Sequence, residues 1–201
     1  MQRENAVAPP TRRLAAILCA DLCGYSKLMA EDEASTLRLL ARYRSISETI
    51  VRQFGGRIAN TAGDGLLIEF SSALDALQGA LDIQARIALA NEDVQPSRKG
   101  SFRIGFHIGE VSVRYGDLFG DAVNIAARLQ AIAPAGRVCL SNVAYQFVSK
   151  LNGVLFEPYG IHEPQKFAES YGGISSFKSS VQAWGNTNRS SPHSLPLGAS
   201  L

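Results

Sequence analysis

Apolar residues in this chain come in two spacings, and the spacings predict its elements. Residues 14–20 are seven consecutive apolar residues that run into Asp21. That continuity predicts a strand buried on both faces. Gly24 then permits a tight turn, and Ser26 offers a cap for a following helix. From Ala34 onward, Leu37, Leu40, Ile46 and Ile50 recur at helical spacing with Arg38, Arg42, Arg44 and Arg52 between them. This predicts a long amphipathic helix, with Glu31-Asp32-Glu33 placing negative charge at its start and Phe54-Gly55-Gly56 ending it. Short strands over 57–60 and 66–70 flank Gly63-Asp64-Gly65, which predicts a β-hairpin with Asp64 at its tip. Ser72 and Asp75 form a capping box that opens a second amphipathic helix. Its expected buried side is Leu74, Leu77, Leu81, Ile87 and Leu89.

A polar loop over 91–100 leads to a strand over 102–113, with an expected bend near Gly109 and a return through Val111 to Tyr115. Residues 116–120 read as a loop. A third helix over 121–132 is stopped by Pro134-Ala135-Gly136, and a strand follows over 137–140. Ser141 or Asn142 then caps a short helix running to about residue 148. This order predicts an α+β fold: a ferredoxin-like (palm-like), mostly antiparallel sheet with helices on one face.

Composition narrows the class. The chain has 201 residues, is 46% hydrophobic and carries a formal net charge of +2, which suits one domain of ordinary size and leaves no nucleic-acid footprint. Its three cysteines are an odd number and suggest no disulfide framework, and no His/Cys pair completes a zinc site. They read as small buried hydrophobes. Arg12-Arg13 before the apolar run resembles a secretory start, but the run is short, no small-residue cleavage site follows, and Leu18 precedes Cys19. No run approaches the roughly 18 apolar residues of a membrane span. The expectation is a cytoplasmic protein with no membrane and no nucleic-acid partner. Residues 1–12, with Pro9-Pro10, read as a flexible arm, 13–160 as the folded domain, and 161–201, rich in Ser, Gly, Asn and Pro, as a low-complexity tail.

The candidate chemistry starts with two carboxylates. Asp21 sits where a core strand ends, either capping the next helix or pairing with a cation. Asp64 sits on a glycine-flanked turn. If their strands are neighbours, both point to one end of the sheet, an arrangement that suits a two-metal phosphoryl-transfer site. Asn124 and Arg128 are four apart on the third helix and share a face. They are either a hydrogen-bonding pair for a phosphate or part of a solvated helix face. Asp117 is either an acceptor for an exocyclic amine or a turn residue beside Gly116.

These residues carry a resemblance. The stretches Ala20-Asp21-Leu22-Cys23-Gly24-Tyr25-Ser26, Thr61-Ala62-Gly63-Asp64-Gly65 and Asp117-Leu118-Phe119-Gly120, followed by Val123-Asn124, Ala126 and Arg128-Leu129, resemble the class III adenylate/guanylate cyclase catalytic domain. Order and spacing match over about residues 13–160, and Leu28-Met29 and Gly55-Gly56-Arg57-Ile58 resemble stand-alone bacterial members. The resemblance implies conversion of ATP, and less readily GTP, to the 3′,5′-cyclic nucleotide and pyrophosphate. It assigns two Mg²⁺ or Mn²⁺ to Asp21 and Asp64. It gives the triphosphate to the backbone of Leu22, Cys23, Gly24 and Tyr25, the ribose to Asn124, the α-phosphate to Arg128 and adenine selection to Asp117. It also implies a head-to-tail homodimer with active sites at the subunit interface.

The sequence departs from the family twice. Asn60 stands where the family has an adenine-binding lysine, and an amide lacks that residue's charge and reach. The likeness also stops near Gly160, and Lys166 lacks the neighbours of the family's phosphate-binding lysine. A permitted back-translation of Ile161 to Phe177, read one base later, spells Phe-Thr-Asn-Leu-Lys-Asn-Leu-Arg-Lys-Ala-Met-Glu-Val-Tyr-Arg-Val, which is the family's ending. The tail is thus either a frameshift product or a divergent disordered segment. The expected function is an adenylate cyclase for intracellular signalling. The alternative is a degenerate, non-catalytic cyclase-like domain that binds nucleotide or dimerises.

Overall fold

The computed structural model describes residues 11–159 and 180–185. Strands β1 (Thr11–Leu22), β2 (Arg57–Ala62), β3 (Gly65–Phe70), β4 (Phe102–Arg114), β5 (Asp117–Phe119), β6 (Val138–Ser141), β7 (Val154–Pro158) and β8 (Ser180–Gly185) form one sheet. Its order is β2-β3-β1-β4-β6-β8-β7, with β5 paired to β4. β4 and β6 run parallel, and the other described pairs are antiparallel. The helices are α1 (Tyr25–Glu31), α2 (Glu33–Gln53), α3 (Ala73–Ala90), α4 (Asp121–Ile132) and α5 (Asn142–Val148). The α+β palm-like class holds, and no described helix is long and apolar enough to cross a membrane.

β1 is the centre of the sheet, and its apolar run is covered on both sides from Ala15 onward, while Leu14 is exposed. Ala16, Leu18, Ala20 and Leu22 join the main core with residues of α2, α3 and α5. Ala15 and Ile17 face the other way and pack with Val111, Leu118, Ala122 and Ala126. So α4 lies on the face opposite the other long helices, and the expectation of helices on one face fails for α4. The physical cause is the uninterrupted run itself, since each face of such a strand needs its own cover. α4 comes close because β4 has glycines beneath it: a Cβ on Gly105 would lie 2.1 Å from the Ala126 carbonyl oxygen, and one on Gly109 would lie 2.7 Å from the Ala122 Cβ.

Several local expectations change. β4 runs unbroken through Gly109 to Arg114, and the chain reverses at Tyr115 and Gly116, both at positive φ (51° and 83°). Two such central residues are what a tight hairpin turn of the primed type requires. Asp117 therefore opens a short strand instead of lying in a loop. Gly24, in the left-handed region at φ 74°, takes the N-cap place expected of Ser26. Asp32 caps α2 by accepting from the Ser35 amide at 3.0 Å. Leu37, Leu74 and Leu89 are exposed, because the buried lines follow Leu40, Tyr43 and Ile50 on α2 and Ala76, Leu77, Ala80, Ile83 and Ile87 on α3. Cys139 is buried, and Cys19 and Cys23 are half-buried.

Thr11 and Arg12, read as arm, already belong to β1. The rest of the arm and most of the tail lie outside the described residues, as does Lys166. Ser180–Gly185 of the tail forms a strand between β6 and β7, which fills two rows of backbone hydrogen-bonding groups that would otherwise be open edges.

Candidate functional site: carboxylates, an anion turn and an exposed helix face

The two carboxylates meet at the end of β1. Ala20 pairs with Leu66, and Ala62 pairs with Gly65, so Gly63 and Asp64 make a two-residue turn beside Asp21. Asp64 Oδ2 accepts from the backbone amide of Leu22, the residue after Asp21, at 3.0 Å. Arg44 of α2 donates to the Gly63 carbonyl and fastens the turn from outside. Asp21 faces Arg103 across the β1–β4 ladder. The guanidinium donates from Nε to Oδ1 at 3.0 Å and from Nη2 to Oδ2 at 2.7 Å. This bond with Asp21 raises the Arg103 pKa further above its ordinary value.

These groups fit a hard divalent cation. The donors are carboxylate oxygens, and among the described residues Asp64 Oδ1 makes no hydrogen bond. Among the described residues no group of three Asp, Glu, His or Cys side chains could hold a metal ion. Two carboxylates alone leave most of a metal's shell to water and to the phosphates of a substrate, as is usual for Mg²⁺.

The anion turn is narrower than the sequence suggested. The Leu22 amide is held by Asp64, and the Cys23 amide donates to the Ser101 carbonyl at 2.9 Å. Of the four amides expected to hold phosphate, those of Gly24 and Tyr25, at the start of α1, make no hydrogen bond among the described residues. Cys19 donates weakly to the Val123 carbonyl at 3.8 Å, and burial pushes its thiol up to about 12, so it is no nucleophile at neutral pH.

Asn60 and Asp117, 57 residues apart in sequence, are brought into contact. Asn60 Nδ2 donates to Asp117 Oδ2 at 2.6 Å, and the Leu118 amide donates to Oδ1 at 2.8 Å. A bulge in β2 between Ile58 and Asn60 sets the register in which Asn60 reaches β5. Asn124 and Arg128 lie on the exposed side of α4, opposite the buried Ala122, Ala126 and Leu129. Among the described residues their side chains make no hydrogen bond or ion pair. In this chain they do not meet Asp21 or Asp64.

The stretches that build these features coincide with a known domain. A family model described as the adenylate and guanylate cyclase catalytic domain matches residues 7–163. The chain belongs to this family. It is 43% identical over 153 residues to "Putative adenylate cyclase 3" of Rhizobium meliloti, covering 76% of this chain and 26% of that protein. It is 35% identical over 128 residues to an adenylate cyclase of Streptomyces coelicolor, covering 63% of this chain and 32% of that protein. The chain thus spans about a third or less of the length of these relatives. A solved structure, an adenylate/guanylate cyclase/hydrolase from Silicibacter pomeroyi, superposes with a TM-score of 0.74 at 35% identity, covering 88% of this chain and 99% of that one.

Within this cyclase domain, sequence reasoning missed Arg103, Arg44, and the trio Arg13, Arg57 and Glu69. A basic residue inside an apolar strand was the available signal for Arg103. Glu69 within the apolar run 66–70 was the signal for the trio. Glu69 is a buried charge in need of a partner, and Arg103 a charge on a mostly apolar strand.

Proposed function

We propose that this domain is an adenylate cyclase that acts as a homodimer in the cytoplasm, where ATP is made. The ribose 3′-oxygen attacks the α-phosphorus, the bond from that phosphorus to the bridging oxygen breaks, and pyrophosphate leaves with its electron pair. The 3′-hydroxyl proton passes to solvent. Asp21 and Asp64 would hold two Mg²⁺ or Mn²⁺. When bound, such ions make the 3′-hydroxyl easier to deprotonate and offset the phosphate charge. Arg103 orients Asp21, and the amides of Gly24 and Tyr25 meet the phosphates. Asn124 orients the ribose, and Arg128 stabilises the charge that grows on the α-phosphate oxygens. Asp117 accepts from the adenine amine. Asn124 and Arg128 reach the nucleotide from the partner subunit.

One observation carries this reading: Asp21 and Asp64 converge at the end of β1, while Asn124 and Arg128 stand exposed on α4 and unpaired among the described residues. The Asn60–Asp117 bond favours a second reading, a domain without turnover, because each group already satisfies the other. The test is to incubate the protein with ATP or GTP in Mg²⁺ or Mn²⁺, beside an Asp21→Ala control. Cyclic AMP formed only by the unmutated protein supports the cyclase. Absence of both cyclic products from a folded dimer overturns it in favour of the second reading.

A further inference from the structure

Glu69 is 6% exposed, in the middle of the β2–β3–β1 part of the sheet. A carboxylate this dry requires cations, and it has two. Arg13 Nη2 lies 2.6 Å from Oε1, and Arg57 Nη2 lies 2.6 Å from Oε2. The Arg57 guanidinium does more than neutralise Glu69. Its Nη1 donates to the Gly116 carbonyl at 2.6 Å, 59 residues away. One rigid fork thus spans from a buried anchor to the turn between β4 and β5.

That turn needs a fastening. Tyr115 is the non-glycine residue at positive φ among the described residues, and its side chain is 92% exposed. A tyrosine in the left-handed region is strained, and an exposed side chain adds no packing to hold it there. Asp117 follows Gly116 directly. Its two oxygens are held by Asn60 and by the Leu118 amide, so where the turn sits decides where the carboxylate points.

We infer that Arg57, anchored by Glu69, is a positioning residue for nucleotide-base selection. It pins the Tyr115–Gly116 turn to β2 and so keeps Asp117 in the register where Asn60 can hold it. This rests on the reading of Asp117 as the base-contacting group. In this arrangement Asn60 orients the neighbouring carboxylate, and the family's lysine position serves selection through Asp117.

The test compares Arg57→Lys with the unmutated protein, and with Arg57→Lys combined with Tyr115→Asn. Lysine keeps a positive charge for Glu69, so the variant folds, but a single ammonium cannot span both Glu69 and the Gly116 carbonyl. Asparagine accepts the left-handed conformation and stiffens the turn without Arg57. Two readouts are used: KM and kcat for ATP and GTP, and calorimetric binding of 3′-deoxy-ATP and 3′-deoxy-GTP, which lack the attacking hydroxyl. For Arg57→Lys, KM for ATP should rise roughly fivefold with kcat changed less than about twofold, as loss of one hydrogen bond predicts. GTP should be less affected, so preference for ATP falls, and Tyr115→Asn should restore it. An unchanged ATP-to-GTP ratio, or an equal loss on both nucleotides that Tyr115→Asn does not repair, overturns the inference while leaving the cyclase reading intact. If the unmutated protein neither cyclises nor binds either nucleotide, both fall.

Discussion

The Arg103 guanidinium holds both carboxylate oxygens of Asp21, at 3.0 and 2.7 Å, across the two central strands of the sheet. Both side chains are partly exposed, at 31% and 26%, so the pair orients Asp21 more than it stabilises the fold. A bidentate fork fixes the plane of a carboxylate as well as its charge.

If Asp21 holds a metal ion as proposed, Arg103→Met should weaken apparent metal affinity or activity by about ten- to a hundredfold, as loss of an outer partner of a metal ligand does. The cost to stability should be on the order of 1 kcal/mol or less. Titrating cyclisation with Mn²⁺ and unfolding the same sample in urea separates the two. An unchanged metal dependence would show that Asp21 needs no orientation.

If the site lies between subunits, two inactive variants should complement each other. Asp21→Asn keeps an intact α4, and Arg128→Ala keeps intact carboxylates. Random reassortment gives half heterodimers with one whole site in two, so the mixture should recover about a quarter of the original activity. No recovery after verified subunit exchange would place all the groups within one chain.

His107 gives the fold an acid-sensitive point. It is buried on β4, with Nδ1 2.8 Å from the Ser141 hydroxyl, and burial lowers its pKa from 6.5 to about 4. Ser141 Oγ already accepts from the Ala144 amide, so its proton is free for the neutral ring. Between pH 6.5 and 4 the unfolded chain binds a proton that the folded chain refuses. This contribution to stability is complete above the unfolded pKa and is lost as pH falls through that window. His107→Asn should flatten the fall in melting temperature across it. An identical pH profile in the variant would show that carboxylates alone set the acid limit.

Gly105→Ala should be among the most damaging single-methyl additions. Its Cβ would meet the Ala126 carbonyl oxygen at 2.1 Å and the Gln130 amide at 2.3 Å, both backbone atoms of α4. Helix backbone cannot step aside as a side-chain tip can, so the cost should be about 3 kcal/mol. It would be read from the urea midpoint and from loss of the α4-dependent complementation above. A loss under about 0.5 kcal/mol, the usual range for a surface change, would mean that α4 shifts freely.

The local rules legible in the chain are those that depend on neighbours in sequence. The run 14–20 predicts a doubly buried strand, the Gly-Asp-Gly turn predicts the hairpin, and the spacing of Leu40 and Ile50 predicts α2. The cyclase motifs around Asp21, Asp64, Asn124 and Arg128 are readable for the same reason, since each is short and contiguous. Leu74 and Leu89 show where this stops: periodicity marks a helix, but the partner decides which line of residues is covered.

Only the tertiary structure decided the rest. It set α4 on the far face of the sheet, bonded Arg103 to Asp21 across 82 residues, and closed Arg57 onto Gly116 across 59. Strand register and charge pairing are long-range choices made by burial, because a buried charge takes whichever counter-charge the fold brings within reach. The sequence by itself determined which groups could do chemistry. Which of them are free to do it, and which are already holding one another, was decided by packing.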